Sequence, residues 1–307
     1  MLVHPKGLFD NSAADNRHIE VRPLAAAMGA EIAGVSIPDL TDEAFAEVQA
    51  ALFRHKMIYF RNQQISHADQ EAFSARFGAF AEDAYTKGVP GHANVQPLIK
   101  EANQEVGVIF GAGWHTDSAF LRQPPAISML YAVEIPPYGG DTIWANSALA
   151  YANLSETMKR MIAPLKVHMS MRKVLETAQK YQAADDTPLG RVAATRNLSQ
   201  LPEEMAWKVR GNLHPLVRTH PKTGELSLYC DETYSAGIEG LTPAEAEPLL
   251  KFLVEHITQP VFTCRLRWSP GTYVAWDNRL CVHQAFNDYD GFRREMYRTT
   301  IAGEAPA

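Results

Sequence analysis

The feature that most constrains this chain is the run Trp114-His115-Thr116-Asp117, taken together with His283 far downstream. Side chains two apart on an extended strand share a face, because strand side chains alternate with period two. On that reading His115 and Asp117 grip one ion side by side, and a third ligand from a distant strand completes the set. The fold must then bring two remote segments to one point. Two histidines and one carboxylate on a single face, with positions left open, are the donor set of non-haem Fe(II) sites.

His-x-Asp/Glu triplets are common, so this one has to be weighed against its neighbours. With 11 His and 35 acidic residues, about one such triplet arises by chance. The chain has three: His18-Ile-Glu20, His67-Ala-Asp69 and His115-Thr-Asp117. The second follows Ser66, a candidate N-cap for an amphipathic helix carrying Phe73 and Phe77 and ending at Gly78. Positions i and i+2 of a helix do not face each other, so that pair cannot chelate. His18 and Glu20 lie in a polar stretch that reads as a solvated edge strand. Only the third triplet is flanked by apolar residues, Val108, Ile109, Phe110, Trp114 and Phe120, able to wall a dry pocket.

Composition narrows the class of protein. Hydrophobic residues make up 46% and charged residues 21% of 307, which is ordinary for a globular chain. No signal-like start and no long apolar run is present, so a cytoplasmic location without membrane contact is expected. Cys230, Cys264 and Cys281 are odd in number and lack a Cys-x-x-Cys spacing, which reads as free buried thiols. A net charge of −6 without Lys/Arg clusters argues against a nucleic-acid footprint. An anionic ligand would have to be drawn by individual arginines.

Strand-like runs are expected at 17–23, 30–37, 57–60, 97–99, 106–110, 127–133, 142–144, 215–219, 226–229, 261–266, 272–276 and 298–301. Helices are expected over 42–55 with Thr41 as N-cap, after Ser66, and near Ser155. A further helix should open at Thr242-Pro243-Ala-Glu245 with a capping box and bury Leu249, Phe252, Leu253 and Ile257. From 171 to 210 the pattern weakens, which suits a lid or insert. The Gly/Pro/Asn-rich stretch 85–94 reads as a loop. Strands early, middle and late around helices suit one domain, mainly β with α, with a double-stranded β-helix (jelly-roll) core and flanking helices.

Several motifs carry a resemblance. The run Gly113-Trp-His-Thr-Asp-Ser-Ala-Phe120 is followed by Pro136-Pro-Tyr-Gly-Gly-Asp-Thr-Ile-Trp144, Trp276-Asp-Asn-Arg279, His283 and Arg293-Arg294-Glu-Met-Tyr-Arg298-Thr-Thr. In this order they resemble the taurine dioxygenase family of Fe(II)/2-oxoglutarate oxygenases, from about Val21 to Gly303. Glu101-Ala-Asn103, Ile238-Glu-Gly-Leu-Thr242 and Phe262-Thr-Cys-Arg265 are similar to the aryloxyalkanoate dioxygenases within it. Arg294 and Arg298 follow His283 by 11 and 15 residues, the offsets at which the family keeps its co-substrate and second arginines.

The resemblance implies a division of labour. His115, Asp117 and His283 would hold Fe(II); Arg294, with the hydroxyl of Thr142, would bind 2-oxoglutarate; and Arg298 would meet the substrate. The implied reaction couples O2 and 2-oxoglutarate decarboxylation, giving succinate and CO2, to hydroxylation of a small anionic organic substrate: an aryloxyalkanoate, a sulfonate or a sulfate ester. Asp117 fills the position a halide would need, so hydroxylation is expected over halogenation. A homo-oligomer is also expected. Arg293 and Arg294 are adjacent on a strand and should point to opposite faces, with Arg298 sharing the face of Arg294 about 13 Å along.

Residues 81–86 contain no His and 111–113 no Asn where the taurine enzymes hold the sulfonate, which argues against taurine. Gly237 stands where close relatives often carry Arg. His168, His214 and His220 read as structural hydrogen-bonding groups, and Gly111-Ala-Gly113 as small residues that let backbone approach closely. A cupin-like metal-binding protein or a zinc hydrolase would use the same three ligands, but neither needs Arg294.

Overall fold

A computed structural model describes residues 9–82, 87–104, 111–180 and 203–307. The strand expected at 106–110, with its wall residues Val108, Ile109 and Phe110, lies outside the described residues. So do the middle of the expected lid, 181–202, and residues 83–86 of the stretch examined for a taurine-type histidine.

The chain is mainly β with helices. Its first strands are β1 (Glu20–Pro23), β2 (Ala30–Ala33), β3 (Met57–Phe60), β4 (Gln96–Lys100), β5 (Ile127–Glu134) and β6 (Thr142–Asn146). Then come β7 (Lys166–Met169), β8 (Asn212–Pro215), β9 (Val217–Thr219), β10 (Leu226–Leu228) and β11 (Ser235–Ile238). The last are β12 (Thr263–Leu266), β13 (Tyr273–Asp277), β14 (Cys281–Ala285) and β15 (Arg294–Ile301). Among the described residues seven strands form one sheet in the order β1-β2-β3-β13-β5-β15-β4, and β12-β6-β14 form a smaller one. Strands β7, β8 and β11, missing or merged in the sequence reading of this region, make a third sheet ordered β11-β7-β8.

Period-two alternation explains how the large sheet separates two interiors. Tyr273 and Ala275 of β13 join Phe60, Phe73, Val48 and Leu52 in one apolar cluster, whereas Val274 and Trp276 join Trp144, Phe120 and Met296 in the other. The first cluster lies under helices Asp42–His55 and His67–Ala75. Phe73 meets Phe60 and Tyr273 edge-on, with ring centroids 5.9 and 5.4 Å apart; such pairs add about 0.5–1.5 kcal/mol each beyond burial. The second cluster fills the space toward the β12-β6-β14 sheet, where Trp144 and Trp276 pack at 5.9 Å.

Local chemistry sets the helix ends. Thr41 accepts the amide of Ala44, and Ser66 with Asp69 closes a capping box, which commits Asp69 to the helix start rather than to chelation with His67. That helix stops at Ala75, short of the expected Gly78. The Pro243–Ile257 helix has its capping box between Thr242 and Glu245. It buries Ala246, Leu250, Leu253 and Ile257, so Phe252, expected inside, is 44% exposed. The flanks of the 171–210 segment are helices, Arg172–Lys180 and Glu203–Arg210. Among the described residues no helix is long and apolar enough to cross a membrane.

A buried charge cluster ties the turn after β13 to the C-terminal residues. Asp277 accepts from Arg279 at 2.6 and 2.8 Å and pairs with His220 at 3.0 Å. Glu304 pairs with both Arg218 and Arg279. Burial pushes the Asp277 carboxyl up, but Arg279 and His220 outweigh it and hold the group well below the ordinary carboxylate range. A depressed carboxylate stabilises the fold fully at neutral pH, and that stabilisation is lost as the pH falls below the unfolded value of about 3.9 and through the folded one. Asp277→Asn leaves Arg279 buried beside a neutral amide and should destabilise by about 3–5 kcal/mol, read as a fall in the urea midpoint at pH 7. An unchanged midpoint would show that the cluster contributes nothing to stability.

Candidate active site

The site forms where Gly111–His115 runs antiparallel to β14. His115 and His283 exchange backbone hydrogen bonds at 2.9 and 2.8 Å, and Ala285 N–H donates to Gly111 O at 2.8 Å. The extended geometry expected through Asp117 is not maintained. His115 makes a single bridge, and Asp117 opens a turn in which Ser118 has φ 45°. Asp117 therefore reaches its neighbours by turning, not by strand alternation. Gly111, at φ 82°, holds a conformation that side chains disfavour, and a Cβ there would lie 3.4 Å from the His115 ring.

One nitrogen or oxygen atom from each of His115, Asp117 and His283 lies within 4.8 Å of the others, and all three residues are buried. Asp117 Oδ1 is 3.7 Å from His115 Nε2 and 3.8 Å from His283 Nε2. One ion bonded to both atoms at roughly 2.1 Å could span separations up to about 4.2 Å, so these distances fit. His115 Nδ1 is 2.9 Å from Gly113 O, and since a carbonyl only accepts, that nitrogen carries a proton and Nε2 is the one that faces Asp117. The His283 ring is packed between Trp276 and His115, with centroids at 4.9 and 4.1 Å.

The electrostatics suit a cation. Burial, followed by the neighbouring His115, pushes His283 down to about 3, so it is neutral at pH 7 and free to donate a lone pair. Burial raises the Asp117 carboxyl, but His115, His283 and Arg298 more than reverse this, and the group is held far below its usual range. Its other oxygen is fixed by a relay. Ser128 on β5 donates to Asp117 Oδ2 at 2.5 Å, Asn278 donates to Ser128 at 2.8 Å, and Trp276 donates to Asn278 at 2.9 Å. Ser128 was missed in the sequence. The available signal was a serine between Ile127 and Met129-Leu130, whose hydroxyl, once buried, must find a partner.

The arginines separate as the alternation predicts. Arg293 is tied to Glu101, Glu134 and Glu295 on the outside. Arg294 turns inward, against Gly140, Trp268 and Tyr289. Its Nε is buried without a hydrogen-bond partner, its Nη2 makes a long 3.4 Å contact with Gly140 O, and the Tyr289 hydroxyl is its other polar neighbour. Thr142 lies alongside: its hydroxyl accepts from Trp268 Nε1 at 3.0 Å, and the Trp268 ring lies 5.9 Å from the Arg294 guanidinium. Arg298 Nη1 is 4.0 Å from Asp117 Oδ1, so it borders the ligand cluster itself. His168, His214 and His220 bond Arg210 O, Leu121 O and Asp277 and take no part in the cluster.

Because Ser128 aims its hydroxyl at Asp117 Oδ2, Ser128→Ala should weaken divalent-metal binding about tenfold or more, the usual loss when such a supporting partner is removed. Equilibrium titration of metal-free protein with Mn(II) checks this, and an unchanged affinity would mean the relay does not orient the carboxylate.

Comparison with known proteins shows the family. The family model described as taurine catabolism dioxygenase TauD, TfdA family matches residues 20–300. An alpha-ketoglutarate-dependent sulfate ester dioxygenase of Pseudomonas putida is 33% identical, over 94% of this chain and 91% of its own. A (S)-phenoxypropionate/alpha-ketoglutarate-dioxygenase of Sphingobium herbicidovorans is 30% identical, over 93% and 95%. The crystal structure of a taurine dioxygenase from Burkholderia xenovorans superposes with a TM-score of 0.76 at 35% identity, covering 95% of this chain and 91% of that one. The chain belongs to the TauD/TfdA family and is an oxidoreductase, a dioxygenase that depends on Fe(II) and 2-oxoglutarate.

Proposed function

We propose that this enzyme hydroxylates a small organic anion with an apolar body, in the class of sulfate esters, sulfonates and aryloxyalkanoates. His115, Asp117 and His283 hold the iron, Arg294 and Thr142 hold 2-oxoglutarate, and Arg298 meets the substrate. The observation that carries the reading is the buried Arg294 guanidinium. Among the described residues it has no carboxylate in ion-pairing range, and its Nε has no partner. A buried cation in that state is costly unless an anion arrives, and a carboxylate matches the guanidinium fork. A zinc hydrolase or a bare metal-binding barrel has no use for it.

The chain's own groups do the positioning. Trp268 donates to the Thr142 oxygen, which leaves the Thr142 proton to be donated to a carboxylate beside Arg294. Neutral His283 and ionised Asp117 present lone pairs toward one point, with Ser128 keeping the second Asp117 oxygen occupied. Iron held there would supply the oxidising chemistry, with O2 as the oxidant: one oxygen atom would go into succinate as 2-oxoglutarate loses CO2, and the other into the substrate hydroxyl. Arg298, beside Asp117, draws a substrate anion to the edge of the metal cluster. Phe120, wholly buried and packed on Tyr234 at 5.3 Å, adds an apolar wall near His115.

We also infer a double-stranded β-helix core. The support is the large sheet facing β12-β6-β14, with Trp144 of β6 against Trp276 of β13 and the site between them. Three buried free thiols suit a reducing cytoplasm. The relatives' names, sulfate ester on one side and phenoxypropionate on the other, support an anionic substrate.

Arg294→Ala should raise the 2-oxoglutarate requirement roughly 10- to 150-fold, the effect of losing about 1.5–3 kcal/mol of charge-assisted binding, with far less change in substrate KM. Succinate release across alkyl sulfates, sulfonates and aryloxyalkanoates, each beside a neutral amide or ester analogue, tests the substrate class. Equal turnover of the neutral analogues would overturn the anionic reading, and an unchanged 2-oxoglutarate KM would remove Arg294 from the co-substrate site.

A further inference from the structure

The metal-bearing segment is gripped a second time, by the turn that joins β10 to β11. Asp231 is buried, and its two oxygens accept from Thr116 N at 3.2 Å and Tyr234 N at 2.6 Å. Glu232 N and Thr233 N both donate to Trp114 O at 3.2 Å, and the Thr233 hydroxyl donates to the same oxygen at 3.0 Å. Glu232 Oε2 accepts from Trp114 N at 3.3 Å. The backbone on both sides of His115 is thus held by three consecutive residues. Closeness is part of the fit, since a Cβ on Gly113 would lie 2.8 Å from Thr233 Oγ1.

The charge on this turn calls for a second explanation. Among the described residues no Lys or Arg pairs with Asp231, and its hydrogen bonds come from two backbone amides. Burial pushes its carboxyl above the ordinary range, and the amides of Tyr234 and Thr116, with the charges of His115 and Lys173, reverse that only in part. A carboxylate buried without a cation is costly by itself. It becomes favourable when a divalent ion is held by His115, Asp117 and His283 close by.

We propose that the Asp231-Glu232-Thr233 turn positions the metal centre and that Asp231 is its electrostatic partner, locking Thr116 between two ligands and balancing the charge of the bound ion. This rests on reading His115, Asp117 and His283 as the metal ligands. Asparagine at position 231 would remove the charge and one of the two acceptors while keeping the shape.

The test uses metal-free full-length protein titrated with Mn(II), with free Mn(II) read by electron paramagnetic resonance, and thermal melts with and without the ion. Asp231→Asn should raise the Mn(II) Kd about 10- to 100-fold and shrink the rise in Tm that saturating Mn(II) gives, while the metal-free Tm reports separately the backbone N–H that loses its acceptor. A Kd within twofold of wild type overturns the proposal. A variant that fails to fold, or whose metal-free Tm falls with no change in Kd, shows the carboxylate to be a structural clamp and overturns its electrostatic role. Thr233→Val then decides the positioning role on its own: a rise in Kd of about three- to tenfold is expected from one lost hydrogen bond, and no rise overturns it. His115→Ala separates this proposal from the reading beneath it. If that variant binds Mn(II) like wild type, the ligand assignment itself is wrong; if it loses binding while Asp231→Asn does not, only the role of Asp231 fails.

Discussion

The structure depends on a buried carboxylate, Asp117, held between two imidazoles from segments more than 160 residues apart in sequence. Such a cluster pays heavily for desolvation and persists only where its geometry is imposed from outside. Here both sheets impose it. β14 supplies His283 and pairs with His115, while β5 supplies Ser128, which orients the carboxylate. The two aromatic planes of Trp144 and Trp276 keep those sheets at a fixed separation, and the His283 ring is packed against one of them. Packing, hydrogen bonding and ion binding are therefore one problem at this site.

Local electrostatics override the global charge. The chain carries a net charge of −6, yet β15 directs two guanidinium groups toward the interior, Arg294 against Trp268 and Tyr289 and Arg298 beside Asp117. The third arginine of the group, Arg293, is neutralised outside by three glutamates. Strand alternation thus sorts a short basic run into one solvated cation and two that can meet anions. Placing the two inward cations four residues apart also gives each its own neighbourhood, one beside Thr142 and one beside the ligand cluster.

Much of this was legible from residues alone, and the exceptions have physical reasons. Helices with strong caps, at Thr41, Ser66 and Thr242, were found with their starting residues because capping is local chemistry. His115, Asp117 and His283, singled out by residue type and by family offset, do come together in the structure, but the geometry joining His115 to Asp117 was read as a strand and is a turn. A residue with φ 45° at Ser118 leaves no local signature in a non-glycine. Phe252 was placed inside its helix face and lies outside, because the true stripe follows Ala246 and Leu250. Ser128, Asn278, Asp231 and Glu304 act through partners 11 to 150 residues away, and no periodicity reports a contact of that kind.

The central claim is that these three side chains make one iron site that also admits 2-oxoglutarate. The most direct measurement is anaerobic visible spectroscopy of metal-free protein given Fe(II) and then 2-oxoglutarate. A charge-transfer band that saturates at one equivalent of iron, and is lost in His283→Ala, is the predicted result. A band of undiminished intensity in that variant, or no band in the wild-type protein with both components present, would contradict the account.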